Sequence, residues 1–156
     1  MNEIPKSCWP EWEIVEKIGS GSFGEVYKIC RVDESKDYFD ALKIIRIPKE
    51  SSEVETLQES GIHDVDAYYE KYVENIFNEI DTMIQLGGNT NIVDYKDYKK
   101  IKRENEVGYD IYIRMELLTS LSEYRKHYTM SQDEILQMGI DICKALELCE
   151  KRNIVH

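Results

Sequence analysis

Residues 18–27 constrain the fold more than any other stretch, because they contain glycines in the pattern G-x-G-x-x-G-x-V. Two unrelated phosphate-binding devices share this spacing. In dinucleotide-binding proteins the glycines end a strand and open a helix, whose N-terminus holds the pyrophosphate. In the other device the glycines join two antiparallel strands, and the hairpin folds over nucleotide phosphates like a flap. The glycine pattern alone leaves both possibilities open.

The residues that follow Gly24 favour the hairpin. Side chains of residues 26–32 alternate with a period of two, and several of them are β-branched. This alternation is typical of a strand and not of a helix. The sequence therefore predicts a glycine flap between two antiparallel strands.

The chain carries a large negative charge. It has 31 acidic and 20 basic residues, which gives a formal net charge of −11 over 156 residues. Such an acidic surface repels phosphate backbones, so we expect no nucleic acid partner. A nucleotide is also an anion, and a nucleotide site in this chain therefore needs a local positive charge of its own. The length suits one domain, and the hydrophobic fraction of 42% suits a globular protein.

Four cysteines are spread along the chain without a C-x-x-C pair. This spacing is typical of a reducing compartment and argues against a disulfide framework or a zinc site. No apolar run approaches the roughly 20 residues that span a membrane. Residues 1–5 lack the basic start and the apolar core of a signal peptide. We therefore predict a cytoplasmic protein with no membrane segment and no metal ligands in this chain.

Hydrophobic periods of 2 and about 3.6 residues divide the chain into strands and helices. Strands are predicted over residues 11–20, 25–32, 38–45, 91–98 and 108–115, with a charged turn over residues 99–106. Helices are predicted over residues 51–60, 64–86 and 120–128, and from residue 131 onward. Glu55 and Glu134 stand where they can close capping boxes at the first and the last of these helices.

One lysine has an unusual place on the third predicted strand. Lys43 shares one face of that strand with the apolar residues Ala41 and Ile45, by the period of two. It is either an edge-strand lysine whose amine reaches water, or a fixed cation aimed beneath the glycine flap.

A carboxylate falls on the apolar stripe of the long predicted helix. Glu79 lies three residues after Ile76 and four before Met83, so we expect it to face the core. An unpaired carboxylate in a core is strongly unfavourable, and Lys43 is the obvious cationic partner. The alternative is that Glu79 lies at the edge of the stripe, in water.

The ordered set of motifs resembles the protein kinase family. The motifs are the glycine pattern, A-L-K at 41–43, a helix carrying Glu79, N-I-V at 91–93 and M-E-L-L at 115–118. Their order is that of a kinase small lobe followed by a hinge and the first helices of a large lobe. The linker and hinge look closer to those of bacterial serine/threonine kinases than to animal ones.

The resemblance implies an α+β fold with two parts. Residues 1–118 would form the small lobe, a five-stranded antiparallel sheet with a long regulatory-type helix. Residues 119–156 would form the first two helices of a truncated large lobe. The chain would then be the ATP-binding portion of a serine/threonine protein kinase.

The resemblance also implies how the flap and the ion pair would hold ATP. Backbone N–H groups of the flap would cradle the phosphates, because glycines leave room for close approach. Lys43 would hold the α- and β-phosphates and would be oriented by Glu79, which makes these two the catalytic residues in the chain. The implied flap residues are Gly19, Ser20, Gly21, Ser22, Phe23 and Gly24.

The remaining implied contacts are with the adenine ring. Three apolar side chains would roof the ring, one would guard the back of its pocket, and two backbone positions in the hinge would pair with its edge. For the hinge positions the backbone matters and the side chain does not. The implied roof residues are Ile18, Val26 and Ala41. The residue at the back of the pocket is Met115, and the hinge positions are Glu116 and Leu118.

Part of the family's catalytic machinery matches no residue of this chain. The kinase catalytic loop reads H-R-D-x-x-x-x-N, and a later D-F-G motif binds metal. His156 matches the first letter of the loop, whereas the general base and the metal-binding Asn and Asp have no counterpart. We expect the ligands of Mg²⁺ to lie beyond this chain. We also expect that this polypeptide by itself is inactive and does not transfer phosphate.

The last predicted helix carries an apolar stripe that would pack inside a complete large lobe. Each large side chain buried there is worth about 1.5–3 kcal/mol, so an uncovered stripe is costly. We therefore predict a homodimer, or a domain swap, through this helix.

Two other function classes stay open. One is a pseudokinase or non-catalytic interaction module, in which Lys43 and Glu79 are structural. The other is a nicotinamide or flavin oxidoreductase that uses the glycine pattern. The strand after Gly24 and the lack of alternating parallel βαβ units argue against the oxidoreductase.

Overall fold

A computed structural model describes residues 4–21 and 24–154. In this part of the chain one sheet is made of β1 (Glu13–Gly21), β2 (Gly24–Val32), β3 (Asp37–Ile47), β4 (Tyr95–Lys102) and β5 (Tyr109–Glu116). The helices are α1 (Ser51–Glu59), α2 (Val65–Gln85), α3 (Leu121–His127) and α4 (Gln132–Lys151). The strand order is β1-β2-β3-β5-β4, and all neighbours are antiparallel. The predicted α+β class is confirmed, as are the five-stranded antiparallel sheet, the long helix and the two helices after it.

The two faces of the sheet are covered by different parts of the chain. The outer face packs against the N-terminal segment, residues 4–12, and the inner face packs against α1 and α2. The outer core consists of Cys8, Trp9, Trp12, Tyr27, Ile29, Leu42, Ile44 and Tyr112. The inner core consists of Ile47, Val65, Tyr69, Val73, Ile80, Tyr109, Ile111 and Ile113. Residues alternate between the two cores along β3, as a period of two requires.

The helix starts show which local signals are reliable. At α4 the predicted capping box is confirmed, since Ser131 N donates to Glu134 Oε2 at 2.8 Å and Glu134 N donates to Ser131 Oγ at 3.3 Å. At α1 the prediction is wrong, because the helix begins one residue after an extended Glu50. Glu53 then occupies the third helical position and accepts from Glu50 N at 3.3 Å, in place of Glu55.

The fourth strand lies farther along the chain than the predicted residues 91–98. Asn91 and Ile92 lie in a turn, where Ile92 N donates to Asn89 O at 3.2 Å. The pairing with β5 instead continues to Lys102, through residues predicted to form a charged turn. β4 is an edge strand of the sheet, and charged side chains are common on such strands. The lysine-rich residues 99–102 therefore form part of a strand, although the sequence predicted a turn there.

Candidate functional site

The glycine pattern forms the predicted hairpin. Gly21 is paired with Gly24 and Gly19 with Val26, so β2 runs back along β1 in the antiparallel direction. A strand therefore follows the last glycine, which contradicts the alternative in which a helix begins there. Ser22 and Phe23, two of the predicted phosphate-binding positions, lie outside the described residues.

Gly24 is the position in the hairpin where the backbone requires glycine. Its φ of +117° is one that residues with a side chain rarely adopt. A Cβ there would also lie 2.2 Å from the backbone oxygen of Ile44 in β3. At Gly21 an added Cβ would meet no described atom within 4 Å. The third glycine thus lets the hairpin lie close against β3.

Charged side chains connect the two strands of the hairpin at its base. Lys17 of β1 forms an ion pair with Glu25 of β2, and Tyr27 Oη donates to the other Glu25 oxygen at 2.8 Å. The hydrogen bond from Lys17, followed by that from Tyr27, lowers the pKa of the Glu25 carboxyl below its usual value. The pair is exposed to solvent, so it contributes little stability but keeps the two strands in register.

The predicted adenine-roof residues come together on the inner face of the sheet. Val26 is paired with Lys43 across β2 and β3, and Ala41 is paired with Met115 across β3 and β5. Ala41 is buried, which leaves a flat surface without a protruding side chain. Ile18 lies at an irregularity of β1, between Lys17 and Gly19, and is 45% exposed.

Lys43 is held between two apolar neighbours on the inner face. It is paired with Val26 of β2 and with Ile113 of β5, and it is half-buried. Among residues 4–21 and 24–154 no carboxylate lies within 4.0 Å of its amine. The structure thus places an uncompensated cation in the sheet, below the glycine hairpin.

Glu79 is not buried in the core, although the sequence predicted that it would be. Its side chain is exposed, and the buried positions of α2 are Val65, Tyr69, Val73 and Ile80. Glu79 and Lys43 both line a cavity of about 720 Å³ between α2 and the sheet. The expected ion pair between them is absent from the described part of the chain. The reading of Glu79 as a stripe-edge residue in water fits the structure better.

Tyr95 is a residue of this cavity that the sequence interpretation missed. It lies at the start of β4, is paired with Met115, and lines the cavity together with Lys43 and Glu79. Burial raises the pKa of the Tyr95 hydroxyl, and the negative charge of Glu79 raises it further. The hydroxyl of Tyr95 and the carboxylate of Glu79 thus belong to residues that line the same cavity. Only the register of β4 could have indicated this, and that register was not predicted.

The segment after β5 leaves backbone groups available. Glu116 ends the strand, and its N–H donates to Asp94 O at 3.0 Å while its carboxylate accepts from Asp94 N at 2.9 Å. Leu118 lies in an irregular segment and is 58% exposed. Its backbone has no hydrogen-bond partner within the described residues. The unpaired backbone groups of Leu118 can pair with the edge of a planar ligand.

Neither a metal centre nor a membrane span is found in the residues that the structure describes. No group of three or more His, Cys, Asp or Glu side chains is placed to hold a metal ion there. Among the same residues, no helix has the length and apolarity needed to cross a bilayer.

An antiparallel sheet with a glycine hairpin, a lysine on its third strand and a long helix over one face is the architecture of a kinase small lobe. The chain belongs to the protein kinase family, since the family model for the protein kinase domain matches residues 12–156. No curated protein matches the chain. The family match supports the assignment of a kinase, a transferase, and agrees with the predicted small lobe and start of a large lobe.

Proposed function

We propose that this chain is the ATP-binding portion of a serine/threonine protein kinase. The observation that carries the proposal is Lys43, a half-buried cation without a carboxylate partner within the described residues, placed below a glycine hairpin in a protein kinase domain. A cation held among apolar side chains is unfavourable unless an anion pairs with it. The phosphates of ATP are that anion.

The hairpin backbone, the apolar roof and the hinge backbone would each contact a different part of ATP. The backbone around Gly24 can approach the phosphates closely because no Cβ intervenes. Val26 and Ala41 offer an apolar surface to the adenine ring, and the backbone of Glu116 and Leu118 offers partners for its edge. ATP supplies the phosphoryl group, and the protein contributes position and charge.

Protein kinases use Mg²⁺ together with ATP. The described residues contain no cluster of three candidate ligands, and the metal-binding Asn and Asp of the family's motifs match no residue of the sequence. We therefore assign no role to a metal in this chain, and propose that its ligands belong to the rest of the parent kinase. Phosphate transfer to protein hydroxyls is likewise a proposal for that parent.

We propose that Glu79 orients Lys43 after a movement of α2. In the structure the two residues line one cavity and form no ion pair with each other. A shift of α2 that closes this cavity would bring the carboxylate of Glu79 to the amine of Lys43. The separation seen here also favours a second candidate, a pseudokinase in which this ion pair never forms.

A nucleotide titration tests the proposed ATP site. Lys43→Ala is expected to raise the Kd of Mg-ATP by about 30-fold or more, since it removes one partner of a partly buried charge pair. Isothermal titration calorimetry on the full-length protein measures this change. Lys71→Ala, on the exposed surface of α2, is the matched control and should leave the Kd unchanged. Equal Kd values for both variants and the unsubstituted protein would contradict the proposal.

A phosphorylation assay separates the kinase from the pseudokinase. An active full-length protein transfers phosphate from ATP to serine or threonine peptides, whereas a pseudokinase binds the nucleotide without transfer. The serine/threonine assignment is supported by the resemblance of the linker and hinge to bacterial kinases of that type. Transfer to tyrosine peptides alone would contradict it.

The cytoplasmic location stays a prediction from the cysteine pattern.

Self-association through α4 also stays a prediction. The helix exposes apolar side chains that include Leu136, at 66%, and Ile142, at 54%. A surface of this kind usually has a partner. We expect light scattering to find a dimer of the 156-residue polypeptide at micromolar concentration. A monomer over the whole accessible concentration range would contradict this.

A further inference from the structure

A buried carboxylate on the outer face of the sheet has no role in the site described above. Asp40 is only 2% exposed, and its two oxygens accept from Lys96 Nζ at 2.5 Å and from Arg114 Nη1 at 2.9 Å. The carboxylate belongs to β3, and the two cations belong to β4 and β5. A buried charge persists when it is paired in this way. One side chain thus joins three strands.

Two tryptophans from the N-terminal segment cover this ion cluster. The guanidinium carbon of Arg114 lies 5.8 Å from the ring centre of Trp9 and 5.1 Å from that of Trp12. Trp9 Nε1 also donates to Asp97 Oδ2, in β4, at 2.9 Å. Trp9 precedes residues 12–156, which match the protein kinase domain. The contacts that Trp9 makes with this cluster therefore lie outside the matched region, whereas Trp12 is its first residue.

The ion cluster lies directly behind the proposed adenine site. Asp40 and Ala41 are neighbours in β3, so their side chains project from opposite faces of the sheet. Across the sheet, Asp40 is paired with Glu116 and Ala41 with Met115. The ion cluster on the outer face therefore holds together the strand ends that carry the roof and the start of the hinge on the inner face.

We propose that Asp40 is a positioning residue for the adenine ring. We call this residue, together with Lys96, Arg114, Trp9 and Trp12, the Asp40 brace. The Asp40 brace fixes the distance between the apolar residues that roof the adenine ring and the hinge backbone that pairs with its edge. Binding sites lose affinity when their supporting residues allow a shift of about 0.5 Å. The proposal rests on the proposed function, because it assumes that adenine binds between roof and hinge.

Loss of the Asp40 brace should weaken the binding of the adenine ring and leave the binding of the phosphates unchanged. Lys43 lies three residues farther along β3 than Asp40, or about 10 Å at the usual rise of a strand. The glycine hairpin is held by contacts of Lys17, Glu25 and Gly24, none of which involves the brace. Loss of the brace should therefore weaken adenine binding while the phosphate contacts persist.

Titrations with three ligands test this on the full-length protein: adenosine, Mg-ATP and magnesium tripolyphosphate. Asp40→Asn is expected to raise the Kd of adenosine and of Mg-ATP by the same factor, about tenfold, and to leave that of tripolyphosphate unchanged. The measurements are made at a temperature where circular dichroism shows the variant folded. A purely structural role would change all three Kd values together or none of them.

A matched control and a milder variant complete the experiment. Asp37→Asn changes an exposed carboxylate of the same strand and should alter none of the three Kd values. If Asp40→Asn does not fold, Trp9→Phe replaces it, since phenylalanine keeps an aromatic ring but loses the bond to Asp97; an increase of about threefold for adenosine is expected.

Two results would overturn the proposal. One is a folded Asp40 or Trp9 variant with unchanged adenosine affinity, and the other is an equal loss for all three ligands. Failure of the unsubstituted protein to bind either adenosine or Mg-ATP is a different outcome. It would contradict the proposed function itself, and the brace with it.

Discussion

Trp12→Ala is expected to lower the free energy of unfolding by about 3–5 kcal/mol, the usual cost of removing a large aromatic side chain from a core. The Trp12 ring is 5% exposed and packs in the outer core. The guanidinium groups of Arg31 and Arg114 lie 5.6 and 5.1 Å from its centre. Both lose an aromatic partner when the ring is removed.

This loss is a large share of the stability of an ordinary domain, about 5–15 kcal/mol in total. Urea denaturation followed by circular dichroism measures the change. Tyr128→Ala removes another aromatic ring, one that is 62% exposed and stacks on Tyr124, and should cost less than about 1 kcal/mol. Similar losses for the two variants would show that the N-terminal segment does not belong to the core.

Gly24→Ala is expected to lower the free energy of unfolding by about 3 kcal/mol and to weaken Mg-ATP binding. Alanine is strained at a φ of +117°, and its Cβ would lie 2.2 Å from the backbone oxygen of Ile44. The clash is with backbone, so either the hairpin or β3 must shift. Because Lys43 precedes Ile44 in that strand, the shift reaches the proposed phosphate site. Urea denaturation and calorimetric titration measure the two effects.

Gly21→Ala is the matched control for stability. It lies in the same hairpin, has no positive φ, and its added Cβ would meet no described atom within 4 Å. Its free energy of unfolding should stay within about 0.5 kcal/mol of that of the unsubstituted protein. If the two alanine variants were equally stable, the close approach of Gly24 to β3 would not limit the fold.

Much of the fold could be predicted because its signals are local. The strand after Gly24 follows from alternation over a few residues, and the start of α4 follows from the spacing between Ser131 and Glu134. The place of Lys43 on the inner face follows from the period of two in β3. Each of these features depends on residues close together in the chain, so no knowledge of the sheet order was needed.

The orientation of Glu79 and the role of Tyr95 could not be predicted. A helical stripe shows which side of α2 is apolar, but it does not show how far the helix lies from the sheet. A cavity of about 720 Å³ is lined by residues of both elements, and Glu79 lines it with an exposed side chain. The register of β4, which places Tyr95 at this cavity, depends on its pairing with β5 and was obscured by its lysines.

The glycine hairpin, the lysine beneath it and the membership of the kinase family follow from the amino-acid sequence. Those features are encoded in spacings along the chain, which backbone geometry converts directly into faces and turns. The missing ion pair between Lys43 and Glu79 and the burial of Asp40, in contrast, are visible only in the folded chain. Asp40, Lys96 and Arg114 are distant in sequence, and they meet because β3, β5 and β4 are neighbours in the sheet. Burial and pairing depend on that order, which no local pattern records.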